Sequence, residues 1–447
     1  MNALCKRFTL AAVCILSLAA YGCGSSGETS DPQTEAKAPN QTETQKPPEP
    51  IELNMWFPSS VPQSDEAFMD LYGNIIKKKF PHITPKFLPL NSTNTFEKMM
   101  AAKQPIDLMS ISIGATATHL LNNGLQYDIT ELIRKHNYDL SVLEPSTIEI
   151  QRHVANGGIY GLPVSTDTMT VFYNRDLFDK FGVAYPKDGM VWDDLYELVK
   201  RTSRTDGDVR YRGIGISPTH ALQMDPLSPA FIDPKTDQGL LSGERFKRSF
   251  NTLLALFSIP GNEVDSQTWS YSNHLAEFQK NKTIAMLLGT SALGYAYFTD
   301  KENLNWDVAD YPRYPDQRDV GPQSYPVYFY VSAISKHKDD AFLVSAFLTS
   351  KEAQVHLAER GVLPVLKDKS VMDSYGKSLP YMANKNVKAF LPDKFAAPAP
   401  VGQYNSIALA EITEAYRKVV LKEADVNTAL RLADENIAKK IAEMKAR

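Results

Sequence analysis

From residue 51 onward, segments with the two-residue period of a strand alternate with segments that carry helix signals, and this rhythm restricts the chain to an α/β architecture. Ile51, Leu53, Met55 and Phe57 alternate with Glu52, Asn54 and Trp56, and a helix is expected from about Asp65 until Pro81 stops it. Ile106–Ile113 reads as a buried strand, followed by helical segments on either side of Asn122, Asn123 and Gly124. The β-branched and aromatic run Thr168–Tyr173 leads into a helix over Arg175–Phe181 that Gly182 can close. Thr283–Leu288 and Val327–Ile334 are further apolar strands, and Gly213–Pro218 is a strand ending in a turn. Thr349 and Glu352 stand at capping-box spacing ahead of a helix that Gly361 ends. The C-terminal segment is helical, with Leu430, Ala433, Ile437 and Ile441 on one face. Strands separated by helices imply largely parallel pairing.

The body over 51–447 is large for a single hydrophobic core, so its length favours two or more lobes. With 43% hydrophobic and 22% charged residues it has ordinary globular composition. No basic run is long enough to make a phosphate-binding stripe, so nucleic acid is not an expected partner.

Residues 1–22 have the order of a signal peptide: Lys6 and Arg7 precede the mostly apolar Phe8–Ala20, a run of 13 residues. A spanning helix needs roughly 20 apolar residues. Around Cys23 the chain turns small and polar, and Ala20-Tyr21-Gly22-Cys23 resembles the lipobox of bacterial lipoproteins, with Ala20 where leucine is commoner. That resemblance implies lipidation of Cys23 as the new N-terminus; the other reading is an ordinary signal peptide with a leftover thiol. Cys5 and Cys14 lie within the signal, and removing 1–22 takes away two basic residues and no acid, moving the formal charge from -4 to -6. Residues 24–50 carry no large apolar side chain and are rich in Ser, Thr, Gln, Glu and Pro. With Cys23 they read as a lipidated flexible tether over 23–50.

The chain lacks a phosphate-binding P-loop, a G-x-S-x-G elbow and an H-E-x-x-H zinc motif. The acidic pairs Asp193-Asp194 and Asp339-Asp340 read as helix caps or solvated faces. No cofactor and no metal site is expected, and binding without turnover is favoured over catalysis.

The stretch Gly157–Lys200, "GGIYGLPVSTDTMTVFYNRDLFDKFGVAYPKDGMVWDDLYELVK", resembles the family 1 extracellular solute-binding proteins of ABC importers. "LNMWF", "QPIDLM", "FQKNKTIAML", "FLTSKEAQ" and "GVLPV" extend the likeness in order along the body. The resemblance implies a two-lobed α/β periplasmic-binding-protein-like fold, with a hinge and a ligand cleft between discontinuous lobes. One lobe is expected from 51–166 with 325–375, the other from 167–324 with 376–447. Crossings are expected near 165–170, near 324–331 and around 370–385.

Asp167 matches a position where the family has a ligand-contacting acid, and a carboxylate can accept from two adjacent sugar hydroxyls. The alternative is a turn-capping aspartate between Thr166 and Thr168. Ser60 and Ser112 fall where cleft loops are expected, each equally readable as an exposed loop serine. Asp107 reads as structural, tying a loop to the strand, and Trp56 as core. Where many sugar binders place a stacking tryptophan after the glycine, this chain has Thr290, Ser291 and Ala292. Ser291 is therefore a candidate contact, and stacking must come from Tyr295, Tyr297, Tyr328, Tyr330 or Tyr404 if it comes at all. Tyr404 and Asn405 precede the C-terminal helix and are the preferred pair.

The implied function is an extracellular substrate-binding lipoprotein. It would stand on the outer face of the cytoplasmic membrane and capture a carbohydrate, an oligosaccharide by first expectation. The expected partner is a membrane ABC permease and the expected state a monomer. The rivals are the same fold with a peptide, polyol or sugar phosphate as ligand, and a surface glycan-acting enzyme, which would need two converging carboxylates.

Overall fold

The computed structural model describes residues 49–446 except 59, 60, 63, 93 and 300–302; Cys23, the 1–48 segment and Ser60 lie outside them. Ten strands appear among the described residues: β1 (Ile51–Phe57), β2 (Ile83–Pro89), β3 (Leu108–Ser112), β4 (Gly161–Asp167), β5 (Met169–Asn174), β6 (Arg204–Asp206), β7 (Val209–Ile216), β8 (Ile284–Thr290), β9 (Trp306–Ala309) and β10 (Tyr325–Val331). They form two five-stranded sheets, ordered β2-β1-β3-β10-β4 and β6-β7-β8-β5-β9.

The pairing is mixed, not largely parallel. β1 runs parallel to β2 and β3, and β7 to β8. β10 lies antiparallel between β3 and β4, and β5 antiparallel between β8 and β9. The inserted strands are the cause. Each enters its sheet directly from the other sheet rather than by a helical crossover, which would restore the parallel direction.

Between β4 and β5 only Thr168 intervenes, so the chain changes sheets within one residue. It returns between β9 and β10, and passes over again between Val365, packed on the first sheet, and Met372, packed on the second. Leu53, Met55, Phe57, Phe329 and Val331 build one core, and Phe172, Leu287, Trp306 and Phe390 another. A larger core takes Trp56, Met109, Ile111, Tyr328 and Tyr330 from the first sheet and Val171, Ile214, Ile216 and Leu288 from the second. The helices Asn405–Val420 and Val426–Lys445 close it, burying Leu430, Ala433, Ile437 and Ile441.

Local signals act as their chemistry requires, with one shift. Gly182 adopts φ 62 and closes its helix. Ser350, not Thr349, caps the helix Lys351–Glu359, accepting from the Ala353 N–H at 3.3 Å. Thr349 is occupied by the preceding helix, its hydroxyl donating to the Ala346 carbonyl at 2.6 Å. Asp107 ties β1 to β3: it accepts from the Asn54 N–H at 2.9 Å and from the Ser335 hydroxyl at 2.6 Å.

Candidate functional site

The C-terminal ends of β3, β4, β7 and β8 carry the polar residues nearest the passage between the sheets. At that passage Asp167, the last residue of β4, is partly exposed. Its Oδ1 accepts from the Ser291 hydroxyl at 2.9 Å, and the backbone N–H of Ala292 also points to it. The same Ser291 accepts from the Thr168 N–H at 3.2 Å, and its own N–H donates to the Thr168 carbonyl at 2.8 Å. Ser291 is buried and committed to this joint.

Four tyrosines from four segments lie within electrostatic reach of the carboxylate. Tyr325 is its register partner across the β4–β10 pair. Tyr72 comes from the helix after β1, Tyr295 from the short helix that follows Ser291, and Tyr375 from the segment beyond Val365. Burial first, with the Asp167 charge behind it, holds Tyr72, Tyr295 and Tyr375 above the ordinary phenol range. Burial pushes Tyr325 up to about 12, against the hydrogen bonds it makes to Ser112 and to the Gly114 N–H. Burial also raises Asp167 to about 7, opposed by Ser291 and Ala292. No Lys, Arg or His among the described residues forms an ion pair with it.

Ser112, partly exposed, stands at the start of the helix Ile113–His119 and so meets the Tyr325 hydroxyl. On the facing side the helix Pro218–Gln223 brings His220, whose ring centroid lies 5.6 Å from that of Tyr325. The Ser217 hydroxyl and His220 Nδ1 are 2.7 Å apart, and burial lowers His220 to about 4, so it is neutral.

Asp167, Ser291, Tyr295 and Ser112 thus gather around one passage. Tyr328 does not: it is fully buried in the core, and its hydroxyl donates to the Thr147 carbonyl at 2.6 Å. Tyr330 is equally buried, its hydroxyl 2.9 Å from Thr116 Oγ1. Both rings are consumed by packing because β10 lies inside the sheet and is covered on each face. Asn405 lines a small cavity of about 30 Å³ beside Tyr325, Ser324 and Gln223. Tyr404 lines another, of about 400 Å³, with His153, Asn156 and Tyr160 near the opposite end of β4, and its ring lies 5.7 Å from Lys445 Nζ. Sequence reading missed Tyr72, Tyr325, Tyr375 and His220. The one available signal was the Ser217-Pro218 turn that ends β7 at the same level as Thr290 ends β8.

Among the described residues no group of acids, histidines and cysteines could hold a metal ion, and no helix is long and apolar enough to cross a membrane.

The sequence matches the family model of bacterial extracellular solute-binding proteins over residues 59–355. An ABC substrate-binding protein of Listeria monocytogenes in complex with cycloalternan superposes with a TM-score of 0.71 at 19% identity, covering 88% of this chain and 100% of that one. UgpB of Mycobacterium tuberculosis in complex with glycerophosphocholine gives 0.65 at 18% identity, over 90% and 100%. A solute-binding protein of an ABC transporter from Agrobacterium vitis S4, with bound D-mannitol, gives 0.60 at 18% identity, over 88% and 99%. These likenesses assign the two-lobed, periplasmic-binding-protein-like fold.

Proposed function

Since the chain belongs to the bacterial extracellular solute-binding proteins, a family that binds solutes and does not transform them, we propose that it captures a carbohydrate at the Asp167 passage for an ABC importer. A membrane permease would receive the solute. The observation that carries this reading is the partly exposed carboxylate of Asp167, set among tyrosines at the point where the chain changes sheets. A carboxylate accepts from paired sugar hydroxyls, and tyrosines offer an apolar face with a polar edge.

In this reading Ser112, Tyr295 and Asn405 contact the ligand, Ser291 orients Asp167, and Tyr404 serves an outer position. The crossing at Thr168 would be one hinge between two lobes, 51–166 with 325–375 and 167–324 with 376–447. Closure is favoured by a ligand that touches both lobes, because only contacts absent from the open state bias the equilibrium. Cys23 would carry the lipid that holds the protein at the outer face of the membrane.

The test is a thermal-shift screen of the mature chain against oligosaccharides, monosaccharides, polyols and short peptides, with recovery of the ligand intact. A ligand at 100 times its Kd adds about 2.7 kcal/mol of stability. Asp167→Ala should weaken the hit by ~1.5–3 kcal/mol. A response confined to peptides would discard the carbohydrate.

A further inference from the structure

We propose that the edge of the first sheet where β1 begins is a membrane-facing surface, on which Lys77, Lys78, Lys79, Lys103 and Lys336 hold the protein against anionic phospholipid head groups. Its setting rests on the lipid anchor at Cys23 inferred above; the surface itself is read from the fold.

β1, β2 and β3 begin toward this edge and β10 ends there, so the connections that serve them meet. The helix Asn74–Lys79 runs toward β2 and sets Lys77, Lys78 and Lys79, all exposed, in its last turn. The segment before β3 carries Lys103 and the turn after β10 carries Lys336, both exposed. Hydrogen bonds tie these connections together. The Ile51 N–H donates to the His82 carbonyl at 2.8 Å, the Asp107 N–H to the Asn54 carbonyl at 2.9 Å, and the Ser332 N–H to the Asp107 carbonyl at 3.0 Å. An open cavity of about 760 Å³ lies here, lined in part by Pro50, Ile51, Lys103, Ile334, Lys336 and His337. Ile334 is 48% exposed, more than any other large apolar side chain among the described residues. An apolar side chain flanked by lysines suits the head-group boundary of a bilayer.

Most acids at this edge are already matched. Glu52 pairs with Lys86 at 3.1 Å, Asp339 with Lys135 at 2.7 Å and His136 at 2.9 Å, and Asp340 with His82 at 3.4 Å. Asp107 is buried and held by Asn54 and Ser335, and Glu49 stands where the chain enters β1. Lys338 Nζ donates to the Ser335 carbonyl at 2.5 Å, and Lys79 Nζ lies 5.5 Å from the centre of the Phe347 ring. None of the five proposed lysines forms an ion pair among the described residues. With the mature chain at a formal charge of -6, attraction to an anionic bilayer has to come from a local set such as this one.

A lysine beside an anionic bilayer strengthens attachment about fivefold, and the field fades over about 8 Å at physiological ionic strength. The contact therefore orients the anchored body and does not retain it without the lipid. Ser112 and Asp167 end β3 and β4 at the far end of the same sheet, so the passage between the sheets stays clear of a bilayer at this edge.

The experiment is sedimentation of the mature chain carrying Cys23→Ser, which has no lipid of its own, with vesicles of phosphatidylcholine alone or mixed in equal parts with phosphatidylglycerol. The expected result at low salt is about 10-fold or greater preference for the mixed vesicles, lost as salt rises to about 0.15 M. Lys77→Gln, Lys78→Gln, Lys103→Gln and Lys336→Gln combined should remove most of that preference. Lys187→Gln, Lys235→Gln, Lys280→Gln and Lys439→Gln, combined at exposed sites on other elements, make the same change in net charge and should leave it within about 3-fold. Equal partition of the parent to both vesicles, or equal loss in the two variants, overturns the surface. The parent comparison stands even if a variant folds poorly. Failure of Cys23 to take up palmitate would remove the anchor alone, since these vesicles read the surface without it.

Discussion

The Ser291 hydroxyl donates to Asp167 Oδ1 across 2.9 Å, linking the last residue of β4 in the first sheet to the residue that follows β8 in the second. With the two bonds between Ser291 and the Thr168 backbone, it fastens the single-residue passage to the second sheet. The carboxylate is therefore tied to that sheet while its strand belongs to the other.

The ionisation of Asp167 should be visible in stability. Burial raises it from 3.8 to about 7, so between those values the folded chain keeps a proton that the unfolded chain has lost. Its contribution becomes unfavourable as pH rises from 4 to 7 and stays so above 7. Asp167→Asn keeps an acceptor for Ser291 and removes the buried charge. The variant should be more stable than the parent by about 1–2 kcal/mol at pH 8, after discounting for partial exposure, with the gain fading toward pH 4. Paired melting curves at pH 8, 6 and 4.5 would read this, and a gain independent of pH would show an ordinary carboxylate.

A side chain at Gly114 would collide with the tyrosine opposite. A Cβ there would lie 2.0 Å from Tyr325 Oη and 3.0 Å from Gln223 Oε1. Alanine improves helix propensity by up to about 1 kcal/mol, but overpacking costs about 1–3 kcal/mol, so Gly114→Ala should be net destabilising. Adding Tyr325→Phe removes the nearest atom and should restore part of the loss in denaturant melts. No rescue would mean that the ring, not the hydroxyl, sets the clash.

Tyr328→Phe tests the core placement of that ring. The change deletes a buried donor from the Thr147 carbonyl, so stability should drop by about 1 kcal/mol while ligand affinity stays unchanged. A tenfold affinity loss at equal stability would return Tyr328 to the site.

Cys23→Ser should abolish incorporation of labelled palmitate and move the protein from the membrane fraction to the medium. Continued labelling would assign the lipid to another residue.

Asp167 was singled out by the family resemblance of the segments on either side of it, and the structure runs Gly-Leu-Pro into β4 with Asp167 as its last residue. Ser291 stood out by what it replaces. Tyr72 was hidden, since a tyrosine on the buried face of a helix looks like core, and it does pack in the core with Phe57, Phe68 and Phe329 while feeling the Asp167 charge. Tyr325 was hidden for a related reason: its partner Asp167 lies across a strand pair whose register no local period encodes. Strand positions followed from periodicity, but strand direction did not, because it depends on where the chain comes from and not on which side chains alternate. Thr349 and Ser350 show the same limit at smaller scale: both can cap a helix, and only the preceding helix, by engaging Thr349, leaves the role to Ser350.

The position of β10 between β3 and β4 also sets a timetable for the nascent chain. β4 has no partner in its sheet until β10 arrives, so the first sheet cannot be completed before residue 331 has been synthesised. Long-range pairing of this kind is slow. A polypeptide whose family works outside the cell thus leaves its first sheet open until late in its synthesis. Nascent chains arrested before β10 should remain sensitive to brief proteolysis, while those that have released it become resistant; early resistance would show that the first half folds without its central strand.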